Sequence, residues 1–83
     1  MERVEVEAKV KKVIAAVLKK NVETISPGAN FIFDLGADSM QSLQLIAGFE
    51  EEFDIEMDED KSLEVQNVAD AVDYIKSLID AKV

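Results

Sequence analysis

Cysteine, histidine and tryptophan are absent from the 83 residues, and proline occurs once. Without cysteine there is no disulfide framework, and without cysteine and histidine no thiolate- or imidazole-rich metal site. The same two absences remove the strongest side-chain nucleophile and the side chain that titrates near neutrality unaided. A serine–lysine or paired-carboxylate centre is not excluded, but a chain this short has little material for a deep, dry pocket. The expectation is a non-catalytic protein without a metal, built as a single domain over residues 1–83.

Long apolar runs are also missing. The amino terminus, MERVEVEAKV, is broken by charges at residues 2, 3, 5, 7 and 9. It has no apolar region of signal-peptide length, and no segment approaches a membrane span. A cytoplasmic protein that does not insert into membranes is expected, and a monomer.

Charge is present in quantity and unevenly placed. The formal net charge is −9. Residues 1–20 hold six Lys/Arg against three Glu, whereas residues 21–83 hold three Lys against fifteen Asp/Glu. Such a surface repels nucleic acid and anionic lipid and favours partners with basic patches. The 48% hydrophobic content separates the chain from acidic disordered tails.

The apolar residues recur with helical spacing. Val10, Val13, Ile14, Val17 and Leu18 form one stripe in residues 4–20, with Lys19 and Lys20 in the last turn, where they suit the helix dipole, and Asn21 as the stop. A second helix is predicted over 39–53, with Leu45, Ile46, Phe49 and Phe53 on the buried face. Gln41, Gln44, Gly48, Glu51 and Glu52 fall on the opposite one. Gly48 costs roughly 1 kcal/mol against alanine in a helix. On the polar side it leaves room for something to approach or is tolerated drift, and the second reading is preferred. Residues 54–66 read as a charged linker with one short helical turn near 60–65. Asn67 caps a last helix whose buried stripe is Val68, Ala71, Val72, Ile75, Leu78 and Ile79. The fold class is therefore all-α, a small four-helix bundle of three long helices and one short one.

A long loop joins the first two helices. In NVETISPGANFIFDLGAD, Pro27-Gly28 and Gly36 mark irregular points, and Ile25, Phe31, Phe33 and Leu35 are expected to plug the ends of the core. Loops of this length are often functional. This one ends at Asp38-Ser39-Met40-Gln41, a capping-box spacing with Asp38 as the cap. Asp38 then accounts for the helix start, and Ser39 becomes the first helical residue, its hydroxyl free to point outward. Phosphate groups are favoured at such a helix end. From these residues alone a plain helix cap and a covalent attachment point both stand.

Two further constellations bear on function. Between Glu50 and Asp60 eight of eleven residues are acidic. Asp54, Glu56, Asp58 and Asp60 alternate like calcium-loop ligands, but Glu59 stands where glycine is needed and Val65 where a bidentate glutamate is needed. A calcium sensor is a poor match. Of the apolar residues around the serine, Leu43 is assigned to the core, whereas Met40 has the adaptable side chain of a contact surface.

Taken together, these motifs resemble those of the acyl carrier proteins of fatty-acid and polyketide synthesis. Leu35-Gly36-Ala37-Asp38-Ser39-Met40 is similar to the family's Leu-Gly-x-Asp-Ser-Leu, and Glu50-Glu51-Glu52-Phe53 to its Glu-Glu-Glu-Phe. Val68 to Ile75 resembles the family's last helix. The resemblance implies that Ser39 carries a 4′-phosphopantetheine arm, installed from coenzyme A by a phosphopantetheinyl transferase that recognises Asp38. It further implies an acyl cargo held as a thioester and handed to synthase or acyl-transferring enzymes with basic docking patches. Leu35, Met40, Gln41, Gln44, Glu50, Glu51 and Glu59 are the docking residues it suggests. Gln41 and Gln44 replace acids that touch basic partners in fatty-acid carriers. Each such rim charge is worth up to about 1 kcal/mol. With Met40 for leucine and Gly48-Phe49 for Ala-Leu, this implies a specialised carrier rather than a housekeeping one. An aryl, aminoacyl or D-alanyl carrier is the related alternative, and an unmodified acidic helical adaptor the unrelated one.

Overall fold

The computed structural model describes residues 2–81. Four helices succeed one another: α1 (Arg3–Leu18), α2 (Ser39–Phe53), α3 (Glu59–Glu64) and α4 (Val68–Ala81), with a 3₁₀ turn at Val22–Thr24. There is no strand among the described residues, and the isolated bridge between Asn30 and Asn67 is a single loop contact.

α1 packs against both α2 and α4. Its inner face extends one turn further back than the stripe suggests, because Val6 is fully buried with Val10 and Ile14. Ile75, Val68 and Val72 of α4 complete the set of large side chains shut off from water. Their short branched shapes lose little side-chain entropy on burial and allow close helix contacts. Arg3 also pairs with Asp73 on the surface of α4, an exposed ion pair of small energetic weight.

Three local expectations are corrected. α1 stops at Leu18, so Lys19 and Lys20 do not form its last turn. Lys19 takes a left-handed conformation (φ 55°), and the amides of Lys19 and Lys20 donate to the Ala15 carbonyl. The next residue forces the exit: Asn21 is extended, and its side chain accepts from the Glu23 amide to start the 3₁₀ turn.

The second correction is Phe33, which is 87% exposed instead of plugging the core. Residues 31–35 form a tight turn in which the Asp34 and Leu35 amides donate to the Asn30 carbonyl and Gly36 donates to that of Ile32. Side chains therefore repeat every four residues, not every two. Phe31 and Leu35 turn inward together and Phe33 turns out.

The third concerns Gly48. It does not sit on an open polar face but on the side of α2 that meets α1, where an added Cβ would lie 2.8 Å from Val13 Cγ1. α2 otherwise spans the expected residues and buries Leu45, Phe49 and Phe53. The short helix and the Asn67 cap of α4 also form as expected, Asn67 Oδ1 accepting from the Asp70 amide at 2.8 Å.

Candidate functional site

The irregular turn delivers the chain to α2. Gly36 has φ 72°, a conformation that side chains rarely tolerate, and the Ala37 amide donates to the Phe31 carbonyl at 2.8 Å. The backbone is extended again at Asp38 (φ −92°, ψ −177°), as an N-cap requires.

The cap is reciprocal. Asp38 Oδ1 accepts from the Gln41 amide at 2.8 Å, and Gln41 Oε1 accepts from the Asp38 amide at 3.2 Å. Ser42 adds a hydroxyl bond of 2.9 Å to the Asp38 carbonyl. The carboxylate also sits at the positive end of the helix dipole. Asp38→Ala should accordingly cost about 1 kcal/mol. Circular-dichroism melts check this, and an unchanged melting temperature would show that the cap does not hold this helix end.

Ser39 takes no part in the cap. It is the first residue of α2, exposed, at a turn whose leading amides have no helical carbonyl to receive them. The other four serines are all engaged. Ser26 Oγ accepts from the Gly28 amide, while Ser42, Ser62 and Ser77 donate to the carbonyls of Asp38, Asp58 and Tyr74. Among the described residues, Ser39 is the serine whose hydroxyl has no such bond.

Ser39 also borders a cavity of about 720 Å³ between the 31–37 turn, α2, α3 and the inner side of α4. Phe31, Leu45, Ile46, Phe49 and Val65 contribute apolar wall, and Ser42, Ser62 and Tyr74 contribute hydroxyl-bearing residues. The size falls in the range of small-molecule sites. Leu43, assigned to the core from its spacing, is 46% exposed and lines this cavity. It shares that opening with Leu63 of α3, which is also exposed.

The segment that carries α3 is held from two sides. Glu50 Oε2 accepts from the Met57 amide at 3.0 Å, and the Tyr74 hydroxyl oxygen accepts from the Asp58 amide at 3.3 Å. Neither link has a signal in local sequence, since each joins residues on different elements. Tyr74 falls beside the buried stripe of α4, within the stretch that resembles the family's last helix, but nothing in that pattern gives its hydroxyl this partner.

The suggested docking residues separate accordingly. Met40, Gln44, Glu51 and Glu59 are exposed. Gln41 is half-buried and committed to the cap, and Glu50 is half-buried and committed to Met57. Leu35 is 7% exposed and belongs to the core, because it comes one turn after Phe31. Little of its surface faces solvent.

Among the described residues no three acidic, histidine or cysteine side chains are grouped to hold a metal ion, and no helix is long and apolar enough to cross a membrane. The site is thus an exposed hydroxyl at a helix start, bordering a largely apolar cavity. The phosphopantetheine attachment site family matches residues 8–75. Acyl carrier proteins of Nitratidesulfovibrio vulgaris strains DP4 and Hildenborough are each 44% identical over 72 residues, covering 87% of this chain and 95% of theirs. That of strain Miyazaki F has the same identity and coverage. The chain belongs to the acyl carrier protein family. Its cofactor is covalently attached 4′-phosphopantetheine, and it is a carrier and not an enzyme.

Proposed function

We propose that Ser39 bears the phosphopantetheine arm and that the adjoining cavity receives an aliphatic acyl group held on it. The single observation that carries this reading is that the one serine hydroxyl left out of local hydrogen bonding among the described residues stands exposed at the cavity's edge. A phosphodiester at this position is favoured by the first-turn amides and the helix dipole. Asp38 holds that turn in shape. When attached, the arm supplies a thiol for thioester formation. The chain has no cysteine of its own to compete for cargo.

Attachment requires a phosphopantetheinyl transferase. The Ser39 oxygen forms a bond to the phosphorus of coenzyme A that bears the pantetheine, the pyrophosphate bond breaks, and adenosine 3′,5′-bisphosphate leaves. The serine proton passes to a base on the transferase. Later partners are acyl-transferring or synthase enzymes with basic docking patches, which the acidic chain attracts electrostatically. With Gln44 uncharged on the exposed face and Gln41 drawn into the cap, a dedicated synthase or ligase fits this surface better than the general fatty-acid machinery.

The test is intact mass after incubation with coenzyme A, Mg²⁺ and a transferase of broad specificity. One phosphopantetheine should be added to the wild-type chain and none to Ser39→Ala. Equal addition to both would move the site to another residue. No addition to either, while a known carrier is modified alongside and a transferase from the same organism also fails, would favour the acidic adaptor.

A further inference from the structure

Seven large apolar side chains are exposed among the described residues, and five of them are Ile32, Phe33, Met40, Leu43 and Leu63. Four of these five border the cavity, and the fifth, Met40, comes directly after Ser39. Apolar exposure is thus gathered around one opening instead of scattered as on an ordinary surface. Phe33 is the extreme case. It is the most exposed of the seven, at 87%, yet it is part of the cavity wall.

The backbone beneath Phe33 has little freedom. Asn30 Oδ1 accepts from the amides of both Ile32 and Phe33 at 2.9 Å. Asp34 Oδ2 accepts from the Asn30 amide at 2.7 Å, and the Phe31 amide donates to the Gln66 carbonyl at 3.0 Å. What can move is the ring, about its own two side-chain torsions.

We propose that Phe33 is a binding residue for the acyl chain carried by this same molecule. Its ring turns over the cavity mouth when an aliphatic thioester enters and stays in water when the arm is unloaded. The inference rests on Ser39 as the attachment point. Tethering selects this occupant. A chain anchored at Ser39 meets the opening intramolecularly, at an effective concentration that no free ligand matches. Ring and chain then bury apolar surface against each other, between Ile32 and Leu63. A longer aliphatic chain covers more of the ring than acetyl does, and the covered thioester is less open to attack from solution.

The natural chain has no tryptophan, so Phe33→Trp installs a single fluorescent reporter. In the phosphopantetheinylated variant, loading with octanoate should move the emission to shorter wavelength and reduce quenching by acrylamide, with a smaller change for acetate. Intact mass of the same samples shows whether arm and acyl group are present, so failure of attachment is read separately from failure of the ring to close. Phe33→Ser, loaded in the same way, should lose its acyl group to hydroxylamine faster than the wild type at an unchanged melting temperature. Emission and quenching that are the same in unloaded and octanoylated protein would overturn the proposal. So would a shift that disappears once the transferase is removed from the loaded protein, which would make Phe33 a contact for partners.

Discussion

Ile14→Ala is expected to lower stability by about 3 kcal/mol, within the range for removing a fully buried branched side chain. Ile14 is completely shut off from water on the helix that packs against both α2 and α4. Truncation there leaves a void that neighbours in three helices must fill. For a domain of this size the loss corresponds to a fall in melting temperature of roughly 12–24 °C. Since small domains hold only about 5–15 kcal/mol in total, the substitution removes roughly a fifth to three fifths of the margin. Ile14→Val serves as the control, at about 1 kcal/mol. Thermal melts of the three proteins check the ordering. A fall of less than about 4 °C for the alanine variant would mean that α1 does not provide the centre of the core.

Gly48 gives a test of sign. On an open helix face, alanine in place of glycine stabilises by about 1 kcal/mol. Here the new Cβ would stand 2.8 Å from Val13 Cγ1 and 3.9 Å from Val17 Cγ2. Valine is stiff about its first torsion and cannot swing clear cheaply. Gly48→Ala should therefore fail to stabilise, and Gly48→Leu should destabilise by about 3 kcal/mol through overpacking. The decisive comparison is made in a Val13→Ala background, where Gly48→Ala should become stabilising because the obstructing methyl has gone. Denaturant titrations of the double-mutant cycle measure the coupling. If alanine stabilises the otherwise native chain by its full helical preference, the close crossing of α1 and α2 is absent. The crossing matters beyond stability, since α2 presents Ser39 at its first turn.

Gly48 also shows where sequence reasoning stops. A helical wheel places it with Gln41, Gln44, Glu51 and Glu52, and glycine itself carries no apolar signal to pull it elsewhere. Only the approach of α1 gives it a role. By contrast, the start of α2 is fully legible, because Asp38 and Gln41 complete a cap between residues three apart. The stripe of α4 is legible for a similar reason: Val68, Ala71, Val72 and Ile75 repeat at helical spacing and are all buried.

The loop is half legible. Phe31 and Leu35 lie inside as expected, but the alternation that takes Phe33 with them assumes extended chain. The hint to the contrary is polar: Asn30 and Asp34 stand one helical turn apart and bond across it. The cavity has no sequence signature. It is lined by residues of the 31–37 turn, α2, α3 and α4, and the linker ahead of α3 is tied to α2 by Glu50 on Met57 and to α4 by Tyr74 on Asp58, contacts that bridge separate elements. The acid run from Glu50 to Asp60 therefore mixes exposed charge with carboxylates that organise the segment, Glu50 accepting from the Met57 amide and Asp58 capping α3 through the Lys61 amide.

The stitching of the loop has a kinetic side. Besides the Asn30 bonds, the Val68 amide donates to the Ala29 carbonyl and the Ala69 amide to that of Pro27, which fastens the loop to the start of α4. Ordering an irregular backbone costs about 1–2 kcal/mol of conformational entropy per residue. In this molecule that cost is met once, during folding. It does not return each time a cargo is loaded, moved or released, so every cycle begins from the same prepared geometry. A carrier that must change hands many times works faster with its disorder confined to the arm and a few side chains than with disorder in the platform beneath them.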